Sequence, residues 1–225
     1  MTKVLGIDGW KKKWIAVSLE DGAFNDFHIF ENLDEVALLG PKIPAIAIDV
    51  PIGLPEKPPR HADKEAAKFI GPRRSSVFAS PPVFCLDEKW TDYRETNAEC
   101  RSRFDSGISA QGFALMKNIR DAAKAAAQNP RIFEVHPEVC FCEMNQGTPL
   151  QFTKKSWNGQ RERIDLLEKS GIVLPKVLPP EIGKIPVDDI LDAAAAAWSA
   201  QRIAEGNARS FPENNADENG GKIWF

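Results

Sequence analysis

The chain has 225 residues, with 29 lysines and arginines against 32 aspartates and glutamates, for a formal charge of −3. That length makes one large or two small domains able to bury a core unaided, and 43% hydrophobic with 27% charged residues excludes a disordered or fibrous chain. No apolar run approaches the ~20 residues of a membrane span, the four cysteines form no C-x-x-C pair or disulfide framework, and mild acidity argues against coating nucleic acid by bulk charge.

A cytoplasmic protein with reduced thiols is the expectation. The first fifty residues read as strands. Residues 3–9 (KVLGIDG) and 14–19 (WIAVSL) flank a short polar loop in the pattern of a hairpin, and a third run, 24–30, follows the turn signal Asp21-Gly22. Leu33, Val36, Ala37 and Leu39 stand at helical spacing, with Asn32 or Asp34 as cap and Gly40-Pro41 as stop. The apolar run 45–50 (AIAIDV) then suggests a crossover to a buried parallel strand. From 51 to 128 prolines cluster and helical stretches fall near 62–70, 90–104 and 110–127, so this segment reads as a helical insertion whose loops carry Arg60, Arg73, Arg74, Ser75 and Ser76. A strand at 131–136 (RIFEVH) leads into a helix opened by Pro137, an amphipathic helix follows at 159–170, and 175–186 is a Pro-rich loop. The last helix, 187–205, has Ala193–Ala197 at its centre, and the tail 211–221 is polar. This order predicts an α/β fold, a mixed sheet with a parallel core, in one domain spanning 1–225 with 51–128 inserted.

The chemistry lies where acids interrupt apolar runs. By alternation Val4, Gly6 and Asp8 share one strand face, and Ala45, Ala47 and Asp49 share another. Parallel neighbours would bring the two acids together at the carboxyl end of the sheet, where ligand sites of open α/β sheets lie. Glu134 sits inside an apolar strand run, and Asp189 and Asp192 share one face of the last helix, whose alanines permit close approach to the small residues Gly6, Ala45 and Ala47. Five converging carboxylates repel one another unless a cation neutralises them, and oxygen ligands without clustered His or Cys favour Mg²⁺ or Mn²⁺. Taken singly, Asp8 also reads as a turn residue, Asp49 as a loop cap and Asp188 or Asp189 as a helix N-cap.

The motifs GIDGWKKKWIAV, AIDVPIGLP, GPRRSSVFASPP, QGFALMKNIRD, EVHPEVCF, KKSWNGQRERIDLL and DDILDAAAAAW, in that order, resemble those of a family of predicted RNase H-like nucleases catalogued as a domain of unknown function (429). One departure is Lys13, where the family usually has Gly before the tryptophan. The resemblance implies an RNase H-like fold, a five-stranded mixed sheet flanked by helices, with Asp8 on the first strand and Asp49 at the end of the fourth. The pattern at Asp189, Asp192 and Ala193 is also similar to the closing helix of Holliday-junction resolvases, which implies that these acids complete the metal site.

The expected function is metal-dependent phosphodiester hydrolysis with two ions, Asp8 bridging them, Asp49 and Glu134 completing one and Asp189 with Asp192 the other. His136, on the strand face of Glu134, would orient water or protonate a leaving group. Arg73, Arg74, Ser75 and Ser76 form a donor-rich loop suited to phosphates, with Lys154, Lys155 and Arg161 as a second basic patch and Lys11 to Lys13 as a third. Trp10, Trp14, Phe78 and Trp157 could stack bases. A nucleic-acid substrate is thus the expected partner, with no membrane association and the oligomeric state open, a homodimer included. Three rival readings remain: a non-catalytic module of the same fold, a phosphohydrolase acting on a small phosphorylated molecule, and an actin-like ATPase. The last lacks room for a second domain, and no P-loop or G-x-G-x-x-G is present.

Overall fold

The computed structural model describes residues 1–213 and 221–225. Three antiparallel strands open it: β1 (Lys3–Trp10), β2 (Lys13–Glu20) and β3 (Ala23–Phe30). The first hairpin closes through Lys11-Lys12, with Lys11 at φ 55°. Helix α1 (Leu33–Ala37) is capped by the Asn32 side chain, which accepts from Glu35 N, and it ends two residues short of the expected Leu39. The chain then enters β4 (Ile46–Ile48), parallel to β1, and later β5 (Ile132–Glu134), parallel to β4. The resulting sheet is mixed and five-stranded, in the order β3-β2-β1-β4-β5.

Between β4 and β5 lie α2 (His61–Phe69), α3 (Tyr93–Phe104), α4 (Ala110–Ala114) and α5 (Met116–Gln128), with short 3-10 turns at Gly71–Ser76 and Val83–Leu86. The helix expected over 110–127 is broken at Leu115, and only its second part is long. Ile119, Ala122 and Ala125 of α5 pack with Ile7, Ile48 and Ile132, so α5 covers one face of the sheet together with α1. The end of the inserted stretch therefore serves as the crossover helix between two parallel strands. After β5 come α6 (Pro137–Met144), α7 (Trp157–Lys169) and α8 (Val187–Ala204); α8 packs on the opposite face, where Val4, Ala45 and Ala47 lie, and α6 and α7 pack against α8.

The contact of α8 with the sheet is a backbone contact. A Cβ added at Gly6 would lie 1.9 Å from Ala197 N and 2.3 Å from Ala193 O. The alanine run provides the flat helix face and Gly6 the flat strand, and every residue from Ala193 to Ala197 is fully buried.

The expected polar tail falls partly outside the described residues, at 214–220, and the segments on either side of these belong to the fold. Strands β6 (Ser210–Phe211) and β7 (Ile223–Trp224) pair antiparallel, and Trp224 bridges in parallel to Val135 beyond β5. Phe225 is fully buried against Phe69 and Phe211. Two-residue strands are too short to leave any periodicity in a sequence.

Candidate metal centre

Strand register delivers the first two acids. Gly6 pairs with Ala47 and Ile7 with Ile48, so Asp8 and Asp49 continue the pairing side by side, and Asp49 N donates to Ile7 O at 3.0 Å. Residues in register on parallel strands point to the same face, here the face covered by α8. The close seat of Ala193 and Ala197 on Gly6 then lowers Asp192, one residue before Ala193, onto the end of β1. One carboxylate oxygen from each of Asp8, Asp49 and Asp192 lies within 4.8 Å of the other two. Asp192 is 1% exposed and Asp8 9%.

Three carboxylates at this separation, two buried and Asp49 half-buried, are an electrostatic problem. Burial, then Asp49 and Asp192, pushes Asp8 well above the usual carboxylate range. Burial and the Asp192 charge push Asp49 up to about 8. Burial raises Asp192 against the opposing pull of Lys154, whose Nζ stands 2.5 Å from Asp192 Oδ2. Asp192 Oδ1 is buried with no hydrogen-bond partner. Asp8 Oδ1 accepts from Gly9 N at 2.7 Å. A raised pKa, an orphaned oxygen and an all-oxygen donor set fit a hard divalent cation such as Mg²⁺ or Mn²⁺.

A pH dependence follows. An acid whose folded pKa exceeds its unfolded value keeps its proton on folding, so its contribution to stability is full below the unfolded pKa and lost as pH rises through the folded one. For Asp49 that window runs from 3.8 to about 8. Without divalent cations the melting temperature is expected to fall from pH 5 to pH 8, and Asp49→Asn to remove much of that slope and melt about 5 °C above the parent at pH 8. Thermal melts in EDTA across this range check it, and a flat profile in the parent protein contradicts it.

The other sequence-predicted residues divide. Glu134 pairs in register with Ile48, not Ala47, and so shares the face of Ile132, opposite to that of Asp8 and Asp49. Its carboxylate accepts from Arg60 Nη1 (2.8 Å) and Nη2 (2.5 Å) and from Ile52 N (2.8 Å). Asp189 lies in the first turn of α8, half-buried and outside the group of three, with its pKa raised to about 6 by burial and the neighbouring Asp188. His136 caps α6 and lines the same cleft; its Nε2 lies 3.3 Å from Ser76 O, its Nδ1 is buried without a partner, and burial lowers its pKa. Glu138 is held by Arg163 of α7, which is fully buried.

The cleft over the acids has a volume of about 400 Å³ and is walled opposite them by Ser76, Val77 and Phe78 and by Gln111, Leu115 and Asn118 of α4 and α5. Arg73 lines it and gives two of its donors, Nε and Nη2, to Leu150 O (3.1 Å) and Gln151 O (2.7 Å). Arg74, Ser75 and Lys155 are exposed and lie outside the cleft lining, as does Arg161, which pairs with Asp165. Of the four aromatic candidates Phe78 faces the cleft, Trp14 is core, Trp157 is largely exposed, and Trp10 carries Lys11 over its ring. The groups that sequence reasoning undervalued are Lys154, which the basic patch hides among surface neighbours, and Arg60, whose only local signal is Asp63 three residues on.

No helix among the described residues is long and apolar enough to cross a membrane. Neither the curated proteins nor the solved structures compared with the chain contain a match. One family model does match, over residues 6–217, a span that includes Asp8, Asp49 and Asp192. The chain belongs to the family described as Protein of unknown function (DUF429).

Proposed function

We propose that the chain is a divalent-cation-dependent phosphodiesterase, a nuclease, whose cation is held by Asp8, Asp49 and Asp192. The observation that carries this reading is the convergence of three carboxylates from β1, the residue after β4 and α8, two buried and Asp49 half-buried, one of them with an oxygen that has no partner. The strand order β3-β2-β1-β4-β5, antiparallel then parallel, supports it, because it is the arrangement an RNase H-like sheet would have, with its acids at these positions.

When bound, the cation supplies polarisation of a phosphoryl group and lowers the pKa of a water. The protein does the rest. Asp8, Asp49 and Asp192 fix its place, and the Lys154 ammonium adds a positive charge beside it. His136, kept neutral by burial and turned with Nε2 toward the Ser76 carbonyl, leaves Nδ1 as the proton acceptor of the cleft wall. The acids share their cleft with residues of α4, α5 and the loop after α2, an enclosure that favours a single flexible strand or strand end over a duplex laid across the surface. The same enclosure favours, as a second reading, a small phosphate ester.

The test is a Mn²⁺-dependent cleavage screen over single-stranded, duplex, hybrid and junction nucleic acids, with a small phosphodiester included. Cleavage of single strands at least about tenfold faster than duplex is expected, with Asp8→Asn and Asp192→Asn each below about 1% of the parent rate. Activity on the small ester alone selects the second reading. Activity that survives both substitutions overturns the metal centre as the reacting site.

A further inference from the structure

Two divalent cations bring four positive charges, which the carboxylates share with the substrate phosphate, so each carboxylate missing from a site weakens its hold on a second ion. Among the described residues only three converge here. Glu134 is engaged through both oxygens by Arg60, itself 1% exposed. Glu138 is engaged through one oxygen, Oε1, by Nη2 of the fully buried Arg163. Asp189 stands outside the three. Meanwhile a cation already stands inside the cluster. Lys154 Nζ lies 2.5 Å from Asp192 Oδ2, and its charge also acts on Asp8, Asp49 and Asp189.

Lys154 does not reach this place by the chance folding of a surface side chain. The Glu162 carboxylate accepts from the backbone of Gln151 (3.0 Å) and Phe152 (3.2 Å) just before it, and Ser156 just after it caps α7 by accepting from Gly159 N. A Cβ at Gly159 would meet Thr153 O at 1.9 Å, so the segment bearing Lys154 lies directly on the first turn of α7. The ammonium is thus anchored from both sides and aimed at one oxygen of Asp192, while the other oxygen of that carboxylate has no partner.

We propose that Lys154 is the second positive centre of this site, standing where a two-ion enzyme holds its second metal, so that the three acids bind one divalent cation. This rests on the reading of Asp8, Asp49 and Asp192 as its ligands. Three carboxylates and one ammonium leave two negative charges, which a single divalent ion neutralises. A tethered ammonium serves as a compact point charge with three donors for a phosphate oxygen. It also explains how the cluster stays folded before a metal arrives.

The test counts Mn²⁺ per chain by equilibrium dialysis with electron paramagnetic resonance, in the parent protein, Lys154→Met and Lys154→Arg, with thermal melts to confirm folding. One ion is expected in the parent and in Lys154→Arg. Lys154→Met, which frees Asp192 Oδ2 and deletes a repelling charge, is expected to bind its first Mn²⁺ about tenfold tighter or more, with a second ion entering at millimolar concentration. Two ions in the parent protein overturn the role of Lys154 and leave the metal centre standing; no ion overturns both. Unchanged or weaker binding in a folded Lys154→Met also overturns it. Should that variant not fold, the ion counts of the parent and of Lys154→Arg still decide the matter.

Discussion

Arg60→Met is expected to destabilise the fold by about 3–5 kcal/mol, among the largest effects available to a single substitution here. The guanidinium makes five hydrogen bonds in a buried setting: Nε and Nη2 to Asp63 Oδ1 (3.0 and 2.6 Å), Nη1 to Gly53 O (2.9 Å) and Glu134 Oε2 (2.8 Å), and Nη2 to Glu134 Oε1 (2.5 Å). Asp63 in turn accepts from Ser80 N at 2.8 Å. Methionine keeps the bulk of the stem but leaves two carboxylates buried with no counter-cation. The cost also falls on the candidate site, because Arg60 and Glu134 together fix Ile52 and Gly53, the residues that follow Asp49 out of β4. Arg60→Lys restores the charge but not the fork that grips both acids at once, so it should recover only part of the loss. Urea unfolding of these variants and of Glu134→Gln checks the prediction. The double variant Arg60→Met/Glu134→Gln should lose less than the sum of the singles, because they share one network. A loss below about 1 kcal/mol for Arg60→Met would show that the network is dispensable.

Gly6→Ala is the second large effect, at about 3 kcal/mol, the upper end for overpacking. The added methyl would overlap Ala197 N at 1.9 Å and Ala193 O at 2.3 Å, and both are backbone atoms of a helix buried along its length. Neither can turn aside as a side chain would, so α8 must lift from the sheet. Asp192 rides on the same turns of α8. The variant should therefore lose Mn²⁺ affinity as well as stability, although Gly6 touches no ligand. Paired measurements of the urea midpoint and of Mn²⁺ binding read the two losses separately; normal binding in a destabilised variant would mean that α8 can shift without carrying Asp192 away.

Much of this architecture is legible in the order of residues. Strand alternation puts Asp8 with Gly6 and Asp49 with Ala47, and the alanine run in the last helix matches the smallness of those faces, so the meeting of helix and sheet follows from side-chain volume alone. Glu134 shows where such reasoning stops. Alternation places it on one face of its own strand but is silent on which face of the sheet that is; the pairing with Ile48 decides, and a shift of one residue exchanges the faces. The two basic stretches divide for a related reason. Arg73 lines the cleft with two of its donors on backbone carbonyls, and of Lys154 and Lys155 only the first lines the cleft. Charge composition cannot distinguish them, because a solvated lysine and one paired with a buried carboxylate are the same residue until the chain around them is folded.

What the sequence by itself determined is the class of the fold, the strand ends that carry acids, and the small residues that let a helix lie against them, since all three are written in local periodicity and size. What only the tertiary structure decided is which acids meet and which cation already stands among them. Register, the seat of α8 on Gly6 and the anchoring of the Lys154 segment on α7 select Asp8, Asp49 and Asp192 and hand Glu134 to Arg60. Those selections depend on distances between residues far apart in the chain, and electrostatic energy is set by such distances rather than by the list of charges.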